Sequence, residues 1–269
     1  MGVRLERPPE HPHVALVTID RPERANALDP KMLRALAGAW REIAADDALR
    51  CAVVTGAGER VFCSGMDMRE TIPVAQALAR GERVEPEAFE GLRSVSTALL
   101  AGFDLGKPLV AAVNGHARAG GFDLMLATEL RVAVPHASFA LEEVALGLYP
   151  TGNATVLLPR QIGWVHAHEL LLTAQPIPAE RALEIGLLNR VVPPGELLDA
   201  AFRYADAIAA NAPLAVRATR AGVRELLALP LERAYQRQEE LGRPLRKTDD
   251  AREAQAAFVA RRKPVWKGT

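Results

Sequence analysis

Two adjacent glycines at the start of an apolar segment, Gly120 and Gly121, constrain this chain more than any other feature. They follow the apolar run 109–113, which predicts a buried strand, and they precede Asp123 and the apolar run 124–127. Paired glycines cost stability inside a regular element, so they mark a backbone that must bend or approach another group closely. The segment therefore predicts a strand, a tight link and a helix whose first backbone amides are uncovered.

The overall charge excludes several classes of partner. The chain of 269 residues contains 33 basic and 33 acidic side chains, which argues against a nucleic-acid surface and a polybasic membrane patch. Its 49% hydrophobic content is typical of a globular protein with a large core. Only Cys51 and Cys63 are cysteines, so we expect no disulfide framework. Without an apolar signal core or a membrane-length apolar run, the expected location is the cytoplasm.

The first 60 residues alternate between strand and helix patterns. Residues 13–20 and 51–56 are apolar and β-branched and predict buried strands. Between them lies a helical pattern that Asp29 is expected to cap, with Pro30 at its first position. The alternation favours an α/β fold.

The rest of the chain divides at a Pro-Pro-Gly sequence ending at residue 195. We expect an α/β core over 1–194 and a mainly helical region over 195–269. Residues 71–90 are weakly patterned and are interpreted as a mobile surface insertion, followed by a helix near 87–101.

Three glycine-containing segments follow predicted strands or open a predicted helix: 58–68, 111–126 and 137–152. Backbone N–H groups at a helix start have no internal partner and carry partial positive charge. Two such groups aimed at one point form an oxyanion hole. The loop at Gly65-Met66 and the helix start at Gly120 are the candidate pair, and Asp123 and Glu143 are candidates for proton transfer at the adjacent carbons.

Five ordered segments resemble motifs of the crotonase, or enoyl-CoA hydratase/isomerase, superfamily. Any one of them alone is a weak signal, but together they cover almost the whole chain. They are RPERANALD (21–29), FCSGMD (62–67), AAVNGHARAGGFDL (111–124), LGLYPTG (146–152) and FVARRKPVWKG (258–268).

The resemblance implies a fold, an assembly and a substrate class. The fold is an α/β spiral of ββα repeats followed by a helical region used in assembly, usually as a homotrimer or a dimer of trimers. The substrate is an acyl-CoA thioester, and coenzyme A is part of that substrate. Neither a metal nor a separate cofactor is implied.

Site residues carry over by motif position. The oxyanion-hole amides fall on Met66 and Gly120, and the two acids of the hydratases fall on Asp123 and Glu143. Phe258 and Lys263 are expected to reach the CoA of a neighbouring subunit, whereas Met66 and Tyr149 are expected to shape the acyl pocket. The full set of expected substrate contacts is Arg24, Ala25, Ser64, Gly65, Asp67, Met68, Tyr149, Phe258 and Lys263.

The chain departs from the family pattern at three places. Asp123 stands where the best-known hydratases have Glu, so its carboxylate retreats by about one ångström, a displacement that can cost about 10²-fold in rate. Ala119 replaces a family glycine, and residues 150–153 replace a glycine-rich turn. The motif also predicts that Gly121 tolerates a methyl group better than Gly120, because only the Gly120 amide is expected to face the substrate.

Less specific interpretations apply to several of these residues. Asp67 fits a brace for its loop, and Glu142 fits a solvated neighbour of Glu143. Cys63 fits a small buried residue better than a nucleophile. The histidines at 11, 13, 166 and 168 do not have the arrangement of a metal site, and His116 is expected to pack. Arg118, two residues before Gly120, is a candidate contact to phosphate or substrate.

The main functional hypothesis is an enoyl-CoA hydratase that adds water across the 2,3 double bond of the thioester. The alternatives that use the same enolate hole are an isomerase, an acyl-CoA hydrolase and a lyase. A non-catalytic acyl-CoA-binding subunit is a hypothesis of a different class, and the pair of acids argues against it.

Overall fold

Ten strands and twelve helices form the structure, a computed structural model that describes residues 2–269. The strands are β1 (Gly2–Glu6), β2 (Val14–Asp20), β3 (Cys51–Gly56), β4 (Val61–Cys63), β5 (Leu109–Val113), β6 (His116–Arg118), β7 (Leu130–Ala133), β8 (Ser138–Ala140), β9 (Ile177–Pro178) and β10 (Arg190–Val191). The helices are α1 (Pro30–Ala45), α2 (Thr71–Ala79), α3 (Pro86–Arg93), α4 (Val95–Ala98), α5 (Gly120–Leu126), α6 (Ala154–Gln161), α7 (Trp164–Thr173), α8 (Ala179–Glu184), α9 (Leu197–Ala209), α10 (Pro213–Leu226), α11 (Leu231–Leu245) and α12 (Asp249–Val259).

From β3 to β8 the strands alternate between two sheets. The larger sheet has the order β1-β2-β3-β5-β7-β10, and the smaller has the order β4-β6-β8-β9. The pairs from β2 to β10 in the larger sheet are parallel, as are β4–β6 and β6–β8 in the smaller one. Each turn of the chain thus adds one strand to each sheet before a helix returns it, which is the spiral of ββα repeats that the sequence predicts.

The central strands are buried apolar runs, as expected for parallel strands covered on both faces. Every residue of β3 and β5 is buried. The helix α1 begins as predicted: the Asp29 carboxylate accepts a hydrogen bond of 2.7 Å from the Met32 amide, and Pro30 is the first helical residue. Its buried face includes Trp40, whose indole N–H donates to the Ala98 carbonyl at 2.9 Å.

The structure differs from the sequence predictions at three places. The N-terminal segment, for which no strand is predicted, forms β1, which pairs antiparallel with β2, and His11 stacks on Phe202 at 4.0 Å between ring centroids. The supposed insertion at 71–90 contains α2 and the start of α3. The helix expected near 87–101 is divided into α3 and α4. Packing of α3 and α4 on α1 explains why these weakly patterned segments become helical.

The C-terminal helices attach closely to the core. Helix α9 packs on β2, β3, β5 and β7. Helix α10 carries Arg220, whose side chain is 6% exposed and pairs with Asp104 and, at 2.8 Å, with Glu129. Treating 195–269 as a separate assembly region stays a prediction. Within residues 2–269, no helix combines the length and apolar character that crossing a membrane requires.

The two adjacent glycines of α5 have different surroundings, and the expectation that Gly121 is the more tolerant one was wrong. A Cβ atom on Gly121 would overlap the Cys63 carbonyl oxygen and lie 2.7 Å from Cys63 Cβ. The tightest contact of a Cβ atom on Gly120 would be the flexible end of Met66, 3.3 Å away, and the Gly65 Cα atom at 3.5 Å would be in ordinary van der Waals contact. Gly121 is therefore the position where α5 rests on β4, a contact that the sequence motif does not reveal.

We predict that Gly121→Ala lowers the free energy of unfolding by about 1–3 kcal/mol, the usual cost of overpacking a buried contact. Gly38→Ala is the matched control, because Gly38 lies in α1 and a Cβ atom added there would have no neighbouring atom within 4 Å. Replacing a glycine by alanine in an exposed helix interior stabilises the folded protein by about 0.5–1 kcal/mol, so Gly38→Ala should raise the free energy of unfolding. Urea midpoints at one protein concentration measure both effects, and a Gly121→Ala midpoint at or above the parent value would contradict the assignment.

Candidate active site

The loop after β4 and the start of α5 meet through backbone atoms. Gly65 has a φ of +86°, and a Cβ atom there would lie 2.9 Å from the Gly120 nitrogen. A side chain at position 65 would therefore push the loop away from the helix start. This close approach places the Met66 and Gly120 regions side by side, as the oxyanion-hole hypothesis requires.

The amides of Met66 and Gly120 are available for a ligand. Leu28 donates to the Gly65 carbonyl at 2.8 Å and accepts from Asp67 at 3.0 Å, so these bonds lie on either side of Met66. Gly120 is the first residue of its helix, and its amide has no intrahelical acceptor. Neither N–H donates to another group within residues 2–269.

The turn into α5 has an unusual backbone conformation. Ala119 has φ 43° and ψ −122°, a region that favours glycine and costs a residue with a side chain about 1–3 kcal/mol. Two hydrogen bonds hold it: the Ala119 amide donates to Ala140 at 3.0 Å, and its carbonyl accepts from Asp123 at 2.9 Å. The replacement of a family glycine by Ala119 thus leaves the strained turn intact.

Asp123 lies in the first turn of α5, with only 3% of its surface exposed. Its Oδ1 accepts hydrogen bonds from the amides of Asn153 at 2.6 Å and Ala154 at 2.7 Å, so it caps α6. Burial raises its pKa to about 6, although the two amide bonds act in the opposite direction. One carboxylate oxygen of Asp123 is therefore committed to α6, and the amides of Asn153 and Ala154 leave Oδ2 uncommitted.

Glu143 begins a short 3₁₀ helix, Glu143–Leu146, and is the less constrained of the two acids. Its Oε2 is buried and has no hydrogen-bond partner. Burial, with smaller contributions from the negative charges of Asp123 and Glu142, raises its pKa to about 7. A carboxyl group with these properties changes its protonation state near neutral pH, as a general acid or base must.

Most of the expected CoA contacts share one cavity. It has a volume of about 520 Å³ and passes along the first and second motifs. Ser64 donates its amide to the Ala25 carbonyl at 3.2 Å, which joins those motifs along the cavity wall. The expected contacts that line it are Arg24, Ala25, Ser64, Asp67 and Met68, and Met66 lines it as well, whereas Gly65 does not.

Sequence reasoning missed two cationic side chains, Arg60 and Arg69, that line the same cavity. They flank the second motif, and a count of basic residues around that motif would have found them. It also missed the buried Asn26, whose side-chain amide donates to the Val61 carbonyl at 2.7 Å and holds the cavity wall.

The Asp67 side chain braces its own loop, because its carboxylate is occupied by hydrogen bonds within the protein. Its carboxylate accepts from Arg21 at 2.8 Å and from the Arg69 amide at 2.8 Å. Burial alone would raise the pKa of Asp67, but the bonds from the Arg69 amide and Arg21 keep the pKa below its ordinary value. Arg24 lies 3.4 Å from the same carboxylate. The ion pair between Asp67 and Arg21 therefore fixes the loop that carries Met66.

The remaining expected contacts lie elsewhere. Tyr149, which is 70% exposed, follows the Glu143 helix, and Phe258, which is 85% exposed, lies near the end of α12. Lys263 is exposed beyond α12. None of the three lines the 520 Å³ cavity of its own chain, so the contact of Phe258 and Lys263 with a neighbour's CoA stays a prediction.

Two other sequence interpretations have clear outcomes. Cys63 is fully buried and burial raises its pKa to about 12, so it is the inert packing residue expected. Arg118 Nη2 donates to Ser138 at 2.8 Å and its Nη1 lies 3.7 Å from Glu142, and a contact of Arg118 with phosphate or substrate stays a prediction. His116 also packs on Ser138, at 2.8 Å.

Comparisons with known proteins find similar chains over almost the full length. An enoyl-CoA hydratase of Mycobacterium tuberculosis is 40% identical over 94% of this chain and 92% of its own. The (E)-benzylidenesuccinyl-CoA hydratase of Thauera aromatica is 38% identical over 95% and 96% of the two chains. The crystal structure of an enoyl-CoA hydratase from Bacillus anthracis superposes with a TM-score of 0.89, at 31% identity and full coverage of both chains. Since the enoyl-CoA hydratase/isomerase family model also matches residues 10–269, the chain belongs to that family, the crotonase superfamily.

Proposed function

We propose that the protein is an enoyl-CoA hydratase that adds water across the 2,3 double bond of a 2-enoyl-CoA thioester. The observation that carries the proposal is the buried, unpartnered Oε2 of Glu143, whose pKa is raised to about 7 beside a second acid, Asp123. Similarity to two hydratases of CoA thioesters supports the same reaction class.

The proposed chemistry begins at the thioester carbonyl. The amides of Met66 and Gly120 donate to its oxygen and stabilise the negative charge that develops there. Ionised Glu143 removes a proton from water while the water oxygen bonds to C3, and the electron pair of the double bond moves toward the thioester oxygen. The carboxyl group formed at Glu143 then gives its proton to C2, which restores the carbonyl.

Asp123 has a supporting part in this proposal. Its Oδ1 is bound by α6, so only Oδ2 remains to orient the water. Burial is the main cause of the raised pKa of Glu143, and the charge of Asp123 adds to it, which makes protonated Glu143 accessible near neutral pH.

Glu143→Gln should lower kcat by about 10²–10⁴-fold, the usual contribution of a positioned acid or base. Binding of the CoA ester should change little, because the cavity is lined by other residues. The measurement is loss of enoyl-thioester absorbance with crotonyl-CoA. Glu180→Gln is the matched control, since Glu180 is exposed on α8. Near-normal turnover of folded Glu143→Gln would exclude the mechanism, and bound but unchanged CoA esters in the parent would favour a binding subunit.

Double-bond isomerisation is the second candidate, and one observation favours it. Asp123 Oδ1 is committed to α6, whereas the buried Oε2 of Glu143 has no partner, so Glu143 is the less constrained of the two acids. A single base suffices to move a proton between two carbons. Product analysis after incubation with 2-enoyl and 3-enoyl CoA esters of several chain lengths separates the reactions and defines the acyl preference.

The raised pKa of Glu143 also predicts a pH-dependent stability effect. Since its pKa is about 7 in the folded protein against 4.5 ordinarily, the folded state binds a proton more tightly than the unfolded chain. Stability contributed by this group is present below about pH 4.5 and is lost as pH rises through 7. Glu143→Gln should therefore raise the urea midpoint relative to the parent more at pH 8 than at pH 5. An equal difference at both pH values would contradict the raised pKa.

We also propose a homotrimer or a dimer of trimers. The support is a set of large apolar side chains that one chain leaves uncovered on the C-terminal helices, with Leu227 71%, Leu231 65% and Phe258 85% exposed. Exposed apolar area on this scale marks an interaction surface. Sedimentation at micromolar concentration should give three or six times the 29.0 kDa chain mass, and a stable monomer would overturn the assembly.

A further inference from the structure

Two buried polar atoms lack a hydrogen-bond partner, and they lie on either side of one residue. Within residues 2–269, the buried side-chain nitrogen and oxygen atoms without a hydrogen-bond partner are Arg118 Nη1 and Glu143 Oε2. Glu142 lies between them: it precedes Glu143 in the chain, and its Oε1 is 3.7 Å from Arg118 Nη1. Buried polar atoms are almost always paired, so an unpaired one requires an explanation.

Arg118 connects the two halves of the proposed site. It is the last residue of β6, two residues before the Gly120 amide. Its Nη2 donates to Ser138 at 2.8 Å, which anchors the guanidinium to the neighbouring strand β8. The Nη1 group then faces Glu142 beyond the end of that strand. One side chain thereby spans from the oxyanion turn to the segment that carries Glu143.

We propose that Arg118 is a positioning residue, which holds Glu143 toward the oxyanion hole by pairing with Glu142. At 3.7 Å the pair lacks a full hydrogen bond, and it shortens when a substrate orders the Glu143 segment. Catalytic hydrogen bonds are often long before the substrate binds and tighten in the complex. The effect on turnover rests on the proposed hydratase function, whereas the coupling between Arg118 and Glu143 does not.

The charges around Glu143 support this arrangement. Asp123 from α5 and the adjacent Glu142 are both negative and both raise the pKa of Glu143. Arg118 is the cation that faces Glu142. Burial and the nearby positive charges of Arg118 and His136 lower the pKa of His116, so the histidine at the base of this network is neutral near pH 7. Arg118 is thus the charge available to offset Glu142.

The first test is a double-mutant cycle on turnover of crotonyl-CoA. Arg118→Met and Glu142→Gln should each lower kcat by about 5–10-fold with KM within about two-fold, and the double variant should lose no more than either single variant, because both remove one interaction. Arg203→Met, an exposed arginine on α9, is the matched control. Unchanged kcat in Arg118→Met, or losses that multiply in the double variant, would overturn the proposal.

The second test does not depend on the reaction. The carboxyl ¹³C resonance of Glu143, assigned by its loss in Glu143→Gln, reports its pKa by NMR. In Arg118→Met that pKa should rise, because the charge of Glu142 is no longer offset; in Glu142→Gln it should fall. Arg118→Lys keeps the positive charge, so the pKa of Glu143 should stay at the parent value. This variant also provides a measurement if Arg118→Met does not fold. An unchanged pKa in both charge-removing variants would refute the coupling even if the parent lacked hydratase activity.

Discussion

The site depends on one close approach, between the Gly65 loop and the first turn of α5. Backbone meets backbone there, because a Cβ atom on Gly65 would lie 2.9 Å from the Gly120 nitrogen and one on Gly121 would overlap Cys63. Both segments follow strands of the smaller sheet, so the parallel pairing of β4 with β6 sets their separation. The spiral of alternating strands is what brings the two amides together.

The short helix α5 is stabilised mainly at the end away from the proposed substrate. Arg131 is 6% exposed and donates to the carbonyls of Met125 and Leu126 at 3.0 Å each, where the helix ends. A cation at a helix C-terminus stabilises the helix dipole. The N-terminal amides then need no capping side chain from the protein, which leaves Gly120 able to donate to a substrate.

Local chemistry determined what could be predicted from the sequence. The start of α1 at Asp29 and Pro30 and the strands β3 and β5 follow from nearby residues alone, whereas the motif residues around the cavity were implied by the family resemblance. Features that depend on distant contacts were missed: β1 exists because it pairs with β2, and Arg118 is directed by Ser138 and Glu142, 20 or more residues along the chain. The packing of Gly121 on Cys63 was equally invisible, since a motif gives residue types without their neighbours.

The shorter acid at position 123 gains a physical explanation from its surroundings. An aspartate there lets α6 bind the carboxylate through two amides, at 2.6 and 2.7 Å, and the absence of a side chain on Gly152 leaves room for it. This binding holds the pKa of Asp123 near 6, while Glu143, with an unpartnered oxygen, reaches about 7. Different environments for paired acids give them different roles. In the proposed mechanism the Asp123 carboxylate, held by α6, supplies charge and orientation, and its charge adds to the burial that raises the pKa of Glu143.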